Sequence, residues 1–343
     1  MVVTLSVICL LLIFLIVFQL SRASELLNVL KGKGINGEDS TNTNAILLML
    51  FMIFGLIGVV WSTWYYYDLF LPESASEHGV WVDEMFNLTL FFTGIVFVIT
   101  QILTFYFAYK YRQRKNNKVY FFPHNNKLEL LWTAVPAVVL AVLVTLGIES
   151  WTKITSPAPD NSRIIEVTGQ QFNWIVRYPG DDNVLGDRSF ERISAENQLG
   201  IDFEDEFSRD DVYTSEIHLV VNQPVLFKLG AKDVLHSFFL PHFRVKQDCV
   251  PGIPTQFWFT PTITTKEMRQ KLDNENFNYE LACAELCGQA HWNMRMEVIV
   301  ETEEEYNKWF AEQKPIYDSV KPSMAEQEES SEEEIKSEGL TSL

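Results

Sequence analysis

Four apolar runs lie before residue 151: Val2–Leu20, Ile46–Trp64, Leu88–Tyr109 and Leu130–Ile148. Each approaches the roughly 20 residues that an α-helix needs to cross about 30 Å of hydrocarbon. A single chain segment in lipid must satisfy its own backbone hydrogen bonds, so these runs read as helices. Residues 1–150 are therefore expected to form an anchor of four transmembrane helices. The first run lacks the basic leader and small-residue cleavage site of a secretory signal, which favours a retained helix.

Loop charge orients the anchor. The 110–127 connection carries Lys110, Arg112, Arg114, Lys115, Lys118 and Lys127, whereas 69–87 has no Lys or Arg and holds Glu73, Glu77, Asp83 and Glu84. The basic loop belongs in the cytoplasm, together with 21–45 and its Arg22, Lys31 and Lys33. Four crossings then deliver everything after Trp151 to the outer face. Trp61, Trp64, Tyr65, Tyr66 and Tyr67 at one helix end, and Tyr106, Tyr109 and Tyr111 at another, suit aromatic belts at the lipid–water boundary. Glu129, at the inner start of the last span, has two readings. One is a solvated helix start; the other is a proton entry point, because ionisable groups near hydrocarbon often mark ion pathways.

From Arg163 the apolar period changes to two. Ile164–Val167, Phe172–Tyr178, Glu216–Val221, Val225–Leu229, Phe257–Phe259, Tyr279–Cys283 and Met294–Val300 are short, rich in Val, Ile and aromatic residues, and separated by Pro or Gly. Several such strands predict a β-sandwich over 151–314. The interval 181–211 interrupts this rhythm with eleven Asp and Glu against Arg188, Arg192 and Arg209, and is expected to be an acidic insertion between strands. The capping box Thr302-x-x-Glu305 followed by Tyr306, Trp309 and Phe310 predicts a closing helix. Residues 315–343 are poor in apolar residues and rich in Glu, a composition expected to stay disordered. A net charge of −18 argues against nucleic acid and favours cationic partners.

The chemistry concentrates in Cys283-Ala-Glu285-Leu-Cys287-Gly-Gln-Ala-His291-Trp-Asn-Met294. Thiolate, imidazole and thioether together select copper over magnesium or calcium, and structural zinc rarely takes methionine. His236, at the end of an apolar strand, supplies a second imidazole if that strand neighbours the loop. Two thiolates and two imidazoles allow two coppers bridged by both sulfurs, one histidine on each, with weak capping by Met294 and a main-chain oxygen. Rigid, saturated ligation changes little when one electron arrives, so such a site carries electrons rather than substrates. Cys9 and Cys249 stand apart and read as packing; His78, His124, His218 and His242 read as surface or structural residues.

These residues resemble subunit II of cytochrome c oxidases of the haem–copper family. The resemblance rests on Asp233-Val-Leu-His236-Ser, Val245-Lys-Gln-Asp248-x-Val-Pro-Gly252, Cys283-x-Glu285-x-Cys287-x3-His291-x2-Met294, and Glu129-Leu-Leu-Trp132-Thr-x-x-Pro136 in the last span. It implies a cupredoxin-like Greek-key sandwich, all β, holding the dinuclear copper A centre on the periplasmic side of a bacterial inner membrane. It implies Cys283 and Cys287 as bridging ligands, His236 and His291 as terminal ligands, Met294 as the weak ligand and the Glu285 carbonyl as a further one. The Glu285 carboxylate would reach a magnesium ion shared with subunit I, and Glu129 would stand at a proton-channel entrance. Electrons would arrive from cytochrome c, or a cytochrome c domain of a neighbouring complex, and leave for haem in subunit I, where oxygen is reduced.

The sequence departs from the family in three places. Gly169-Gln-Gln171-Phe172-Asn-Trp174 has Phe172 where the family commonly has the tryptophan of electron entry, making Phe172 and Trp174 the candidate entry residues. Two spans precede the family's usual pair, and the acidic insertion is long. The insertion is either an attractor for a cationic donor or a solvated loop. Two competing functions remain: a membrane-anchored copper chaperone, which calls for a βαβ thioredoxin pattern the sequence lacks, and a copper-free quinol-oxidase subunit II, which would not need the full ligand set.

Overall fold

The computed structural model describes residues 2–31, 38–114, 118 and 120–320. Two compact units divide the chain: one comprises Met1–Leu71 and Asn87–Ala141, the other Pro72–Phe86 and Val142–Leu343.

In the helical unit, α1 (Val2–Leu30), α2 (Glu38–Tyr65), the short α3 (Tyr67–Phe70), and the larger parts of α4 (Glu77–Lys110) and α5 (Asn126–Ile154) follow one another. Four of these are long and apolar enough to cross a membrane. Every long helix extends past its apolar run, because backbone hydrogen bonding continues through polar flanks such as Ser21–Asn28. Their apolar side chains stay open to the surroundings, as with Phe14, Phe54 and Val138 at 66–68% exposure, the pattern of helices solvated by lipid rather than by a protein core. Pro136 lies inside α5. The Glu129 carboxylate accepts the Asn125 N–H at 3.1 Å, and the Asn125 side chain accepts the Leu128 N–H, so both cap the start of that helix.

The second unit is a sandwich of two five-stranded sheets. One has the order β3 (Val212–Thr214), β2 (Asn173–Tyr178), β1 (Arg163–Gln170), β5 (Val225–Ala231), β8 (Thr255–Phe259). The other has the order β4 (Ile217–Val220), β10 (Arg295–Glu301), β9 (Tyr279–Cys283), β6 (His236–Leu240), β7 (Val245–Cys249). Alternation delivers Ile165, Val167, Trp174, Val176, Phe227 and Leu229 from the first sheet and Leu219, Phe238, Leu240, Leu281, Val298 and Val300 from the second into one core. Burying about a dozen such side chains, at roughly 1.5–3 kcal/mol each, gives the rigid frame on which the loops at one end are held. Two helices each carry a complete capping box: α6 (Thr265–Leu272) joins β8 to β9, and α7 (Glu303–Phe310) follows β10. On α7, Trp309 stacks on His218 with centroids 3.7 Å apart and planes 8° apart, while Glu216 and Glu301 hold the two imidazole nitrogens.

Residues 72–86 pack within this unit. Ala75 and Ser76 are fully buried: Ala75 N–H donates to the His242 carbonyl, Thr262 N–H donates to Ala75, and Glu77 N–H donates to Thr260. Arg244 clasps Asp83 with two bonds of 2.7 and 2.9 Å. A strand-like segment thus ties the polar stretch before α4 into the sandwich, and the paired arginine ties the start of α4 itself.

The 181–211 insertion is ordered. It lies over the outer face of the first sheet, where Leu199, Ile201 and Phe203 join Ile175, Ile316 and Val320 in a second apolar cluster. Beside that cluster Arg177, 2% exposed, bonds Glu166 at 2.6 Å, Asp211 at 2.9 Å and the Gly186 carbonyl. Burial pushes the Asp211 carboxyl up to about 7 despite the pull of Arg177, whose charge Glu166 already answers. The expectation of disorder from residue 315 needs correcting at its start. Pro315 bridges to Val212, and 316–320 form a helical turn whose Ile316 and Val320 are buried, because those two residues four apart complete the cluster. Residues 321–343 lie outside the described residues.

Candidate metal centre

The ends of β6 and β9 and the loop between β9 and β10 supply the chemistry-bearing side chains at one end of the sandwich. Cys283 is the last residue of β9, and residues 284–294 form the connection to β10. Cys283 N–H donates to the Met294 carbonyl at 3.1 Å and closes this loop at its base. Antiparallel pairing of β6 with β9 aligns Phe238 with Cys283 and so brings His236, two residues earlier, beside the sulfur. Ala284 N–H also donates to the Ser237 carbonyl. Inside the loop a tight turn follows, in which the N–H of His291 donates to the Gly288 carbonyl, that of Asn293 to the Ala290 carbonyl and that of Met294 to the His291 carbonyl.

The two thiol sulfurs are 3.9 Å apart, about twice the length of a disulfide bond, and both are free. Each has its own imidazole: Cys283 Sγ is 3.9 Å from His236 Nδ1, and Cys287 Sγ is 3.6 Å from His291 Nδ1. Met294 Sδ lies 3.8 Å from Cys287 Sγ, and the Glu285 carbonyl oxygen lies 3.2 Å from Cys283 Sγ. His236 is fully buried, and Met294 and Cys287 are 1% and 3% exposed. The Glu285 side chain is exposed. Ligand atoms of His236, Cys283 and Cys287 fall within 4.8 Å of one another, the one such group among the described residues.

The set fits copper. Burial and then the neighbouring Cys283 push the Cys287 thiol up to about 11, so two thiolates coexist here only when cations offset their repulsion. Soft sulfur with imidazole and no carboxylate in the inner group is the donor set that copper prefers.

Residues around the sulfurs hold the imidazoles and the loop. Asp233 Oδ1 lies 2.8 Å from His236 Nε2 and turns Nδ1 toward Cys283. Burial works to raise the Asp233 carboxyl, but hydrogen bonds from Gln171 N–H, His236 and Val234 N–H outweigh it and hold the group below its ordinary value. Gln171 Nε2 donates to the Cys287 carbonyl. Gly169 and Gly288 are required by close approach: a Cβ on the first would meet the His236 ring at 2.9 Å, and on the second, at φ +134°, the Phe172 ring at 3.0 Å. Asp233 and Gln171 had no assigned role from sequence. Asp233, three residues before a ligand in a turn, was the more accessible of the two signals.

The remaining candidates are distributed as follows. Trp174 is 3% exposed, edge-on to His236 and Phe238 at 6.0 and 6.2 Å. Phe172 is 37% exposed and rests on Gly288. Cys249 is buried opposite His236 in the β6–β7 register, its thiol pushed to about 12 by burial. Glu129 belongs to the helical unit, at the first turn of α5.

Comparison with known proteins decides the family. Residues 62–151 match the model for the transmembrane domain of cytochrome c oxidase subunit II, and residues 163–302 match that for its periplasmic domain. An alternative cytochrome c oxidase subunit 2 from Bradyrhizobium diazoefficiens is 32% identical over 272 residues, covering 79% of this chain and 91% of that one. The chain belongs to the cytochrome c oxidase subunit II family. A cytochrome c oxidase subunit 2 from Thermostichus vulcanus is 27% identical over 264 residues, 70% of this chain and 77% of that one. Among solved structures, the periplasmic domain of subunit II of a cytochrome oxidase from Bradyrhizobium japonicum is 25% identical, covering 45% of this chain and 95% of that one with a TM-score of 0.31. The family fixes the architecture as a helical membrane anchor with a cupredoxin-like outer domain, in a subunit of a haem–copper oxidoreductase. The transmembrane-domain match begins at residue 62, so α1 and most of α2 lie outside the matched residues.

Proposed function

We propose that this chain accepts single electrons from a c-type cytochrome at a dinuclear copper centre and passes them to haem in subunit I of a respiratory terminal oxidase. The observation that carries the reading is the pairing of two free thiols 3.9 Å apart, each with a separate imidazole at 3.9 or 3.6 Å. Cys283, Cys287, His236 and His291, with Met294 and the Glu285 carbonyl as weaker donors, are the residues that would hold two coppers. When bound, the copper pair supplies a one-electron acceptor of low reorganisation. The protein's part is to keep the ligands fixed: β6 and β9 hold one imidazole and one sulfur, Asp233 locks the His236 ring, and Gln171 anchors the loop. Burial of His236, Cys287 and Met294 would keep water away from these donors.

The exposed Glu285 carboxylate would contribute to a magnesium site shared with subunit I, and Glu129 would serve the entrance of that subunit's proton channel. The outer domain would face the periplasm from a bacterial inner membrane, with the basic 110–127 loop in the cytoplasm. The copper-chaperone reading is disfavoured by the β-sandwich, which lacks a βαβ unit, and the copper-free reading by the convergence of the whole ligand set. Rapid mixing of the copper-loaded full chain with reduced cytochrome c tests the proposal. One electron per chain should be taken up, and Cys287→Ser should abolish uptake; transfer that survives this substitution would refute the role.

A further inference from the structure

Resting on the copper reading above, we propose that Trp292 is the residue through which the electron enters, from a haem protein that docks on the apolar tip formed by Trp292 and Leu286. These side chains are 74% and 78% exposed. Each is bonded to a ligand residue: Leu286 precedes Cys287, and Trp292 follows His291. Large apolar side chains exposed on one loop mark contact surfaces, and tryptophan is the residue most enriched where a partner is gripped. The indole offers wide, rigid contact at a low cost in conformational entropy.

The alternatives at this end of the sandwich are worse placed. Trp174 is buried between His236 and Phe238, beyond the reach of a docking protein. Phe172 is half as exposed as Trp292 and reaches the ligand loop through contact across space with Gly288. Trp292 instead sits in the middle of the turn His291–Asn293, which carries His291 at its start and leads into Met294. Met294 N–H donates to the His291 carbonyl at 3.2 Å and Asn293 N–H to Ala290 at 3.0 Å, so the turn is stiff. Tunnelling decays less steeply through bonds than through gaps. A bonded route from the largest exposed aromatic of the loop therefore runs from the indole through one peptide unit to the His291 imidazole, whose Nδ1 is 3.6 Å from Cys287 Sγ.

The electron count closes on one transfer. A ferrous donor haem becomes ferric, the electron converts a pair holding one Cu(II) equivalent into two Cu(I), and no proton or covalent bond changes hands. Trp292 mediates without being left oxidised.

The test uses the full copper-loaded chain with Trp292→Ala, Trp292→Phe and Phe172→Ala. Trp292→Ala should slow reduction by ferrous cytochrome c by roughly tenfold or more, about 1.4 kcal/mol of barrier. Reduction by the small complex hexaammineruthenium(II), which needs no docking face, should be unchanged, as should the EPR spectrum and copper content. Trp292→Phe should restore most of the rate. In the copper-free chain, the part of the tryptophan emission quenched by added cytochrome c should fall on Trp292→Phe, a readout of docking independent of turnover. An intact spectrum with an unchanged rate in Trp292→Ala, or a larger loss in Phe172→Ala, would overturn the assignment alone. A wild-type chain that binds no copper pair would instead refute the underlying reading and this proposal with it.

Discussion

Asp233 should set the affinity of the metal centre without being a ligand. Its Oδ1 faces His236 Nε2 at 2.8 Å, while Val234 and Gln171 donate their N–H groups to its two oxygens at 2.7 Å each. His236 is fully buried, so Asp233→Ala leaves the Nε2–H without an acceptor, a loss worth about 1–3 kcal/mol. Groups that orient a metal-bound imidazole in this way typically contribute about tenfold to 100-fold in affinity, which matches that range. Asp233→Asn keeps an acceptor oxygen but removes the charge; a neutral hydrogen bond has roughly half the strength of a charge-assisted one, so its cost should be about threefold to tenfold. The carboxyl is held below its ordinary value, so the wild-type bond should persist as pH falls into the usual carboxylate range and be lost only below it. Copper affinity is measured by competition with a chelator of known strength, with thermal unfolding of the copper-free variants checking that the fold persists. Copper binding by folded Asp233→Ala within about twofold of wild type, or equal losses in the two variants, would refute the orienting role.

Other consequences are as specific. Cys287→Ser should abolish the paired-copper EPR pattern while Cys249→Ser leaves it intact, because the second thiol is buried on the far side of His236 and held protonated; loss in both would make Cys249 part of the site. Asp211 titrates near 7 in the fold against about 3.9 when unfolded, so the folded state binds the extra proton between those values. That contribution, up to about 4 kcal/mol, is present at the acid end and lost as pH rises toward 7; the urea midpoint should fall over this window, and Asp211→Asn should flatten the slope. Ile201→Ala, at 1% exposure in the second cluster, should cost about 2–5 kcal/mol and loosen 181–211 in hydrogen exchange, whereas unchanged protection would mean that the insertion is held without this cluster. If surface charge steers the donor, its association rate should fall steeply with ionic strength; an indifferent rate would point to a tethered donor.

What was legible in the sequence follows from how far apart the cooperating residues lie. Apolar runs announce membrane helices because one segment carries the whole signal, and the copper loop is legible because Cys283, Cys287, His291 and Met294 lie within twelve consecutive residues. His236 could be added because a strand period places it. Where partners are remote, the pattern is silent. Leu199, Ile201 and Phe203 alternate inside an acidic stretch and find their partners in Ile175 and in Ile316 and Val320 at the chain's other end. Arg177 reads as a surface charge on an apolar strand until Glu166, Asp211 and the Gly186 carbonyl surround it. Ala75 and Ser76 lie in a polar linker with no period, and only the His242, Thr260 and Thr262 backbone reveals why they are buried. Trp292 sat in plain view within the motif, but its exposure depends on the turn that follows His291.

The most direct test of the account is a copper-to-chain ratio with EPR on the same purified, copper-loaded sample. Two coppers per chain sharing one unpaired spin, with a seven-line hyperfine pattern, is the predicted result. One copper per chain with a four-line pattern, or two coppers each bearing its own spin, would contradict it.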